Sequence, residues 1–117
     1  MSTTTTEQQS TLAEQRQSAE TALHDSQAET QAARVALAEV QSKLESEQNF
    51  RAKLEERYNA AAVDDNGDMA MAVEGEINRS KFKIRGLELR LAAATEEVSR
   101  CEQAEKPLAY ELDRVLQ

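Results

Sequence analysis

The residues of this chain that could do chemistry are few and scattered. It has one histidine, His24, and one cysteine, Cys101. A metal centre needs several nitrogen, sulfur or oxygen donors brought to one point. No second histidine stands a helical turn from His24, and Cys101 is far away in the sequence. The densest acidic stretch is Asp64-Asp65-Asn66-Gly67-Asp68. Placing Gly67 at the sixth position of a calcium loop puts Asp64 and Asn66 on ligand positions. It also puts Ala62 and Val73 where the first and last carboxylates must stand, so the loop fails as a calcium site. The pairs Glu55/Glu56 and Glu96/Glu97 are adjacent, so on a helix their side chains diverge and cannot share a proton. These features predict no catalytic site, no metal, no cofactor and no small-molecule substrate.

What remains is charge. Asp64, Asp65, Asp68, Glu74 and Glu76 form an acidic tip, with no base among residues 58–78. Directly after it come Arg79, Lys81, Lys83 and Arg85, a basic patch in a chain of net charge −8. Alternate residues fan around a helix rather than lining one side, so the patch is expected to pair with acids of a neighbouring helix. The surplus of acid is divided evenly between the two halves of the chain. Such a surface disfavours non-specific binding to nucleic acid or an anionic membrane.

The elements that hold these groups follow from periodicity. From Val73 the positions Ile77, Ser80, Ile84, Leu87, Leu91, Ala94, Val98, Cys101, Glu105, Leu108, Leu112 and Val115 recur at alternating steps of four and three. Only Ser80 and Glu105 interrupt the apolar run. A repeat of about 3.5 residues lays a narrow seam along a helix, and that seam must find another helix. A weaker seam with the same beat precedes it: Leu12, Arg16, Ala19, Leu23, Ser26, Thr30, Ala33, Leu37, Val40, Leu44, Glu47, Arg51, Leu54, Tyr58, Ala61. Asn66-Gly67 between the two is read as the reversal, tolerant of positive φ, with Asp68 capping the second helix.

The predicted fold is therefore all-α, an antiparallel two-helix coiled-coil hairpin that associates into oligomers. Residues 1–10 read as a flexible Thr-rich lead and residues 11–117 as the hairpin. Its parts are a helix over about 11–63 capped by Ser10 or Thr11, a turn at 64–68, and a helix over about 69–106. Pro107 either kinks the second helix or ends it before a short third helix at about 107–116. Folding about the turn pairs positions whose numbers sum to about 131, so Leu54 faces Ile77, Tyr58 faces Val73 and Leu44 faces Leu87. Arg51 would meet Ser80, Glu47 would meet Ile84 with Lys81 and Lys83 close by, Thr30 would meet Cys101 and Ser26 would meet Glu105. Such polar layers lower stability and fix register. Cys101 on the seam reads as a small buried side chain or as a cross-link between chains.

Composition agrees with long helices rather than a globule. Aromatics are 3% and charged residues 31%, with three Gly and one Pro, which leaves little to build a thick core. No apolar run approaches the ~20 residues of a membrane span, and no signal-peptide pattern opens the chain. One cysteine forms no internal disulfide. The expected location is the cytoplasm or the inside of a larger assembly, and the chain is not expected to be secreted.

One pattern exceeds what a bare hairpin needs. Phe82, Gly86, Leu89 and Ala93 recur along the face of the second helix away from its seam. Gly86 would let another backbone approach. Together with Leu108, Tyr110 and Leu112 beyond Pro107, these residues are the expected partner interface. The functional expectation is a non-enzymatic structural and protein-interaction module, self-associating or docking on a larger assembly through helix faces. The alternative is a small acidic inhibitor or regulatory accessory protein, bacterial or viral, that blocks a basic surface on an enzyme or nucleic-acid-binding complex with its tip. The partner is a protein or another copy of the chain, with no nucleic acid, membrane or small molecule expected.

Overall fold

The structure, a computed structural model, describes the backbone of residues 2–117 and the side chains from residue 11 onward. The described residues form two helices, α1 (Ser2–Val63) and α2 (Gly67–Leu116). The chain groups into two compact units, one of Ala36–Thr95 and one of Met1–Val35 with Glu96–Gln117. Each contains a segment of α1 packed against a segment of α2. Among the described residues no helix is long and apolar enough to cross a membrane.

In the unit that carries the turn, the best-buried cluster is Leu54, Val73 and Ile77, with Tyr58 packed against it. Leu54 and Val73 are each 1% exposed. These four residues sit on either side of the reversal, in the pairing the two seams require. Arg57 and Glu76 bridge the helices beside them at 4.0 Å. Val40, Leu44, Ala61 and Ile84 are buried in the same unit. In the other unit Thr30, Ala33 and Cys101 are buried, and Arg34 reaches Glu102 at 3.6 Å. The physical reason is the same in both. A helix of about 3.6 residues per turn brings side chains three and four apart onto one face, and only that face can leave water when two helices pack.

Every α2 seam position named from the sequence, Val73 through Val115, is buried or half-buried. In α1 the seam holds from Ala19 to Ala61, whereas Leu12 and Arg16 are exposed. Leu12 is 57% exposed.

The reversal differs from its expected form in two ways. The positive φ belongs to Asp65 (54°), and no glycine has one. Asp65 N–H donates to the Ala62 carbonyl at 3.2 Å and Asn66 N–H to the Ala61 carbonyl at 2.8 Å. This paired closure satisfies the carbonyls of Ala61 and Ala62 at the end of α1 and requires a left-handed residue where Asp65 stands. The cap of α2 is Asn66 rather than Asp68. Its Oδ1 accepts from the Met69 amide at 3.2 Å, while its own carbonyl accepts from Ala70 at 3.0 Å, the arrangement of an N-cap residue. Asp68 lies instead in the first turn of α2, where its charge complements the helix dipole.

Two helix limits also move. Helix α1 begins at Ser2, so Ser10 and Thr11 lie inside it rather than capping it, and the lead expected over residues 1–10 is helical from Ser2. Once a helix exists, adding a residue costs far less than nucleating one, which lets poor helix formers such as Thr join an end. Helix α2 runs through Pro107 to Leu116 with no third helix. Leu108, Leu112 and Val115 stay half-buried on the seam and hold the helix across the proline. Gln103 and Pro107 lie on the exposed face, where water can take the carbonyl that the ring leaves without a donor.

Candidate functional site

The seam contains polar residues at its centre. Ser80 is 2% exposed, and its hydroxyl has no hydrogen-bond partner. Glu47 Oε1 and Arg51 Nε on α1 are likewise buried without a hydrogen bond. Arg51 approaches only Glu55, one turn along its own helix, at 3.6 Å. Lys81 and Lys83 were expected to supply Glu47 with a partner. Neither forms an ion pair with it, because both are exposed on the outer side of α2. Thr30 solves the same problem locally: its hydroxyl donates to the Ser26 carbonyl at 3.0 Å. The layer therefore places unsatisfied polar atoms inside the seam, at a cost in stability.

Cys101 is 4% exposed and forms no disulfide. Its thiol donates to Glu97 Oε1 at 3.6 Å, and Arg100 Nη2 donates to its sulfur at 3.8 Å. Burial, and after it the charge of Glu97, pushes the thiol pKa up. A protonated, covered thiol is a weak nucleophile, and within the molecule Cys101 packs as a small buried side chain. Arg100 clasps Glu97 with two bonds, of 3.0 and 2.5 Å, and that clasp holds the Glu97 carboxyl below its ordinary value. Arg114 clasps Glu111 in the same way with the same effect. His24 is exposed, 3.9 Å from Asp25. No group of histidine, cysteine or carboxylates among the described residues is arranged to hold a metal ion.

The acidic tip divides into separate jobs. Asp65 closes α1, and Glu76 pairs with Arg57. Asp64, Asp68 and Glu74 are exposed.

The expected partner interface divides too. Leu108 and Leu112 belong to the inner seam. Leu108 lines an open cavity of about 400 Å³ with Ala19, Ala22 and Val115, where the small α1 side chains fail to fill the space between the helices. Tyr110 is 72% exposed. On the outside of α2, Phe82 is 74% and Leu89 69% exposed, and Gly86 and Ala93 are exposed with them. A Cβ placed on Gly86 would meet nothing within 4 Å, so packing inside the molecule does not demand a glycine there.

Two shallow grooves run along this outer ridge. One is lined by Asn78, Lys81, Phe82 and Arg85. The other is lined by Lys83, Gly86, Leu87 and Arg90. The predicted pairing of the basic patch with acids of the first helix does not occur. Arg34, Arg51, Arg57, Arg100 and Arg114 all form ion pairs. Among the described residues Arg79, Lys81, Lys83, Arg85 and Arg90 form none. The fanning of alternate residues keeps them away from α1. Four of these cations belong to the basic patch at 79–85, and Arg90 joins them at a spacing of seven from Lys83.

No protein-family model matches the chain, and no curated protein or solved structure proved similar to it.

Proposed function

We propose that this chain is a non-enzymatic protein-interaction module, in which the inner seam holds the hairpin and the outer face of α2 docks on another protein or another copy. The observation that carries the reading is the exposed ridge of Phe82 and Leu89 around Gly86. Scattered exposed apolar residues are normal on any protein. A spaced set on one helix face, next to a glycine that internal packing does not require, is the form a helix-docking surface takes.

The mechanism is presentation. The ridge lies on one continuous stretch of helix, Phe82 to Ala93, so it is held in its binding shape before a partner arrives and little order is lost on contact. Sedimentation and chemical cross-linking of the purified protein, alone and with candidate helical peptides, test this. The reading expects an associated species that Phe82→Glu abolishes. Association that ignores Phe82→Glu, or a chain that stays monomeric and binds none of the peptides, contradicts it.

A further inference from the structure

We infer that the outer face of α2 is built for an acidic amphipathic helix of a partner protein. This rests on the interaction reading above and names the partner's chemistry. The face has three parts in parallel. Its centre is the apolar ridge of Phe82 and Leu89, with the gap at Gly86. Lys81 and Arg85 stand along the groove on one side. Lys83 and Arg90 stand along the groove on the other. Cations at spacings of four and seven on either flank of an apolar stripe are what a facing helix meets with its own flanking charges.

Charge selects the occupant. Glu88 is the only acid among residues 79–90, and among the described residues the flanking cations form no ion pair. This happens in a chain of net charge −8, where acids outnumber bases in the rest of the sequence taken together. A second copy placed two-fold on this face would set the same basic stretches against each other, and like charges across an interface disfavour pairing. A nucleic-acid duplex would use the cations but leave Phe82 and Leu89 in water, and the rest of the chain would repel it. An acidic helix with an apolar stripe neutralises both flanks and covers the ridge. Gly86 lets its backbone close to short range.

The probe is a synthetic helical peptide of about three heptads with Leu and Ala on one face and Glu on both flanks. Its control carries Lys in place of Glu. Titration is followed by fluorescence anisotropy of the labelled peptide against the full chain. Binding of the Glu peptide and not of the Lys peptide is expected, weakening at least tenfold as salt rises from ~50 to ~500 mM. Lys81→Glu with Arg85→Glu should weaken it at least tenfold. Gly86→Leu should do the same while raising the thermal midpoint, because it improves helix propensity at an exposed position where a Cβ meets nothing within 4 Å. That combination separates a lost surface from a lost fold.

Equal or tighter binding to a DNA duplex or to phosphatidylglycerol vesicles would overturn the inference in favour of a general polyanion surface. So would Phe82-dependent self-association that persists in high salt without Glu-peptide binding, although the interaction-module reading would then survive. If no peptide binds and Phe82→Glu changes no association, both fall together.

Discussion

The amide of Asn66 donates to the carbonyl of Ala61 at 2.8 Å, and that bond sets where the chain turns back. It closes α1 with Asp65 in the left-handed region (φ 54°) and leaves the Asn66 side chain free to start α2. Three residues thus end one helix and begin the next, which keeps the two seams in register from the first layer, Tyr58 against Val73.

The division of labour in this turn can be measured. Asp65→Gly should stabilise the protein by roughly 1 kcal/mol, since a left-handed residue with a Cβ carries a penalty that glycine lacks. Gly67→Ala should also stabilise it, by about 0.5–1 kcal/mol, because Gly67 has no positive φ and open space around its missing Cβ. Asn66→Ala should cost about 1 kcal/mol through loss of the cap. Urea denaturation midpoints give all three signs. A destabilised Gly67→Ala would mean that Gly67 makes the turn.

Ser80→Ala should stabilise the hairpin by about 1–2 kcal/mol. The buried hydroxyl has no partner, and stranding one costs about 1–3 kcal/mol, against a small loss of packed volume. Calorimetry of the variant decides it, and a lowered midpoint would show that the hydroxyl is satisfied.

Pro107→Ala should raise stability by about 2–3 kcal/mol, because α2 is continuous through this position and proline in a helix interior costs about that much. Far-ultraviolet circular dichroism through a thermal melt reports it. A helix ending before Pro107 would leave the midpoint unchanged.

The Glu97 and Glu111 carboxyls have folded pKa values held below the ordinary 4.5 by Arg100 and Arg114. A lowered folded pKa contributes stability that is present above the unfolded value and is lost as pH falls through the folded one. The wild type should therefore exceed an Arg100→Gln, Arg114→Gln double variant in melting temperature at pH 7. The gap should close as pH drops below 4.5. A gap that persists at low pH would assign the effect to packing of the arginine stems instead.

How much of this was legible beforehand depends on the kind of signal. The α2 seam could be read because an apolar residue every three or four positions has one physical use in a long helix, and even Ser80 and Glu105 held their places in it. The start of the α1 seam could not, because Leu12 and Arg16 keep the beat and yet lie exposed. The reversal occupies residues 64–66, with α2 starting at Gly67 rather than near 69, and its parts differ from the expected ones. Asn, Asp and Gly all tolerate a left-handed conformation, and only the hydrogen bonds to Ala61 and Ala62 show which one adopts it. The outer ridge was visible as spacing. Its unpaired cations were not, since pairing depends on where long side chains point around the rod and not on how many acids the chain contains.

The account rests above all on α1 and α2 of one molecule packing through Leu54 and Ile77. The direct measurement is oxidation of a Leu54→Cys, Ile77→Cys variant in a Cys101→Ser background, read by non-reducing electrophoresis at several dilutions. The hairpin predicts an intramolecular disulfide whose yield does not depend on protein concentration. Covalent dimers that increase with concentration, or cysteines that stay free, would contradict it.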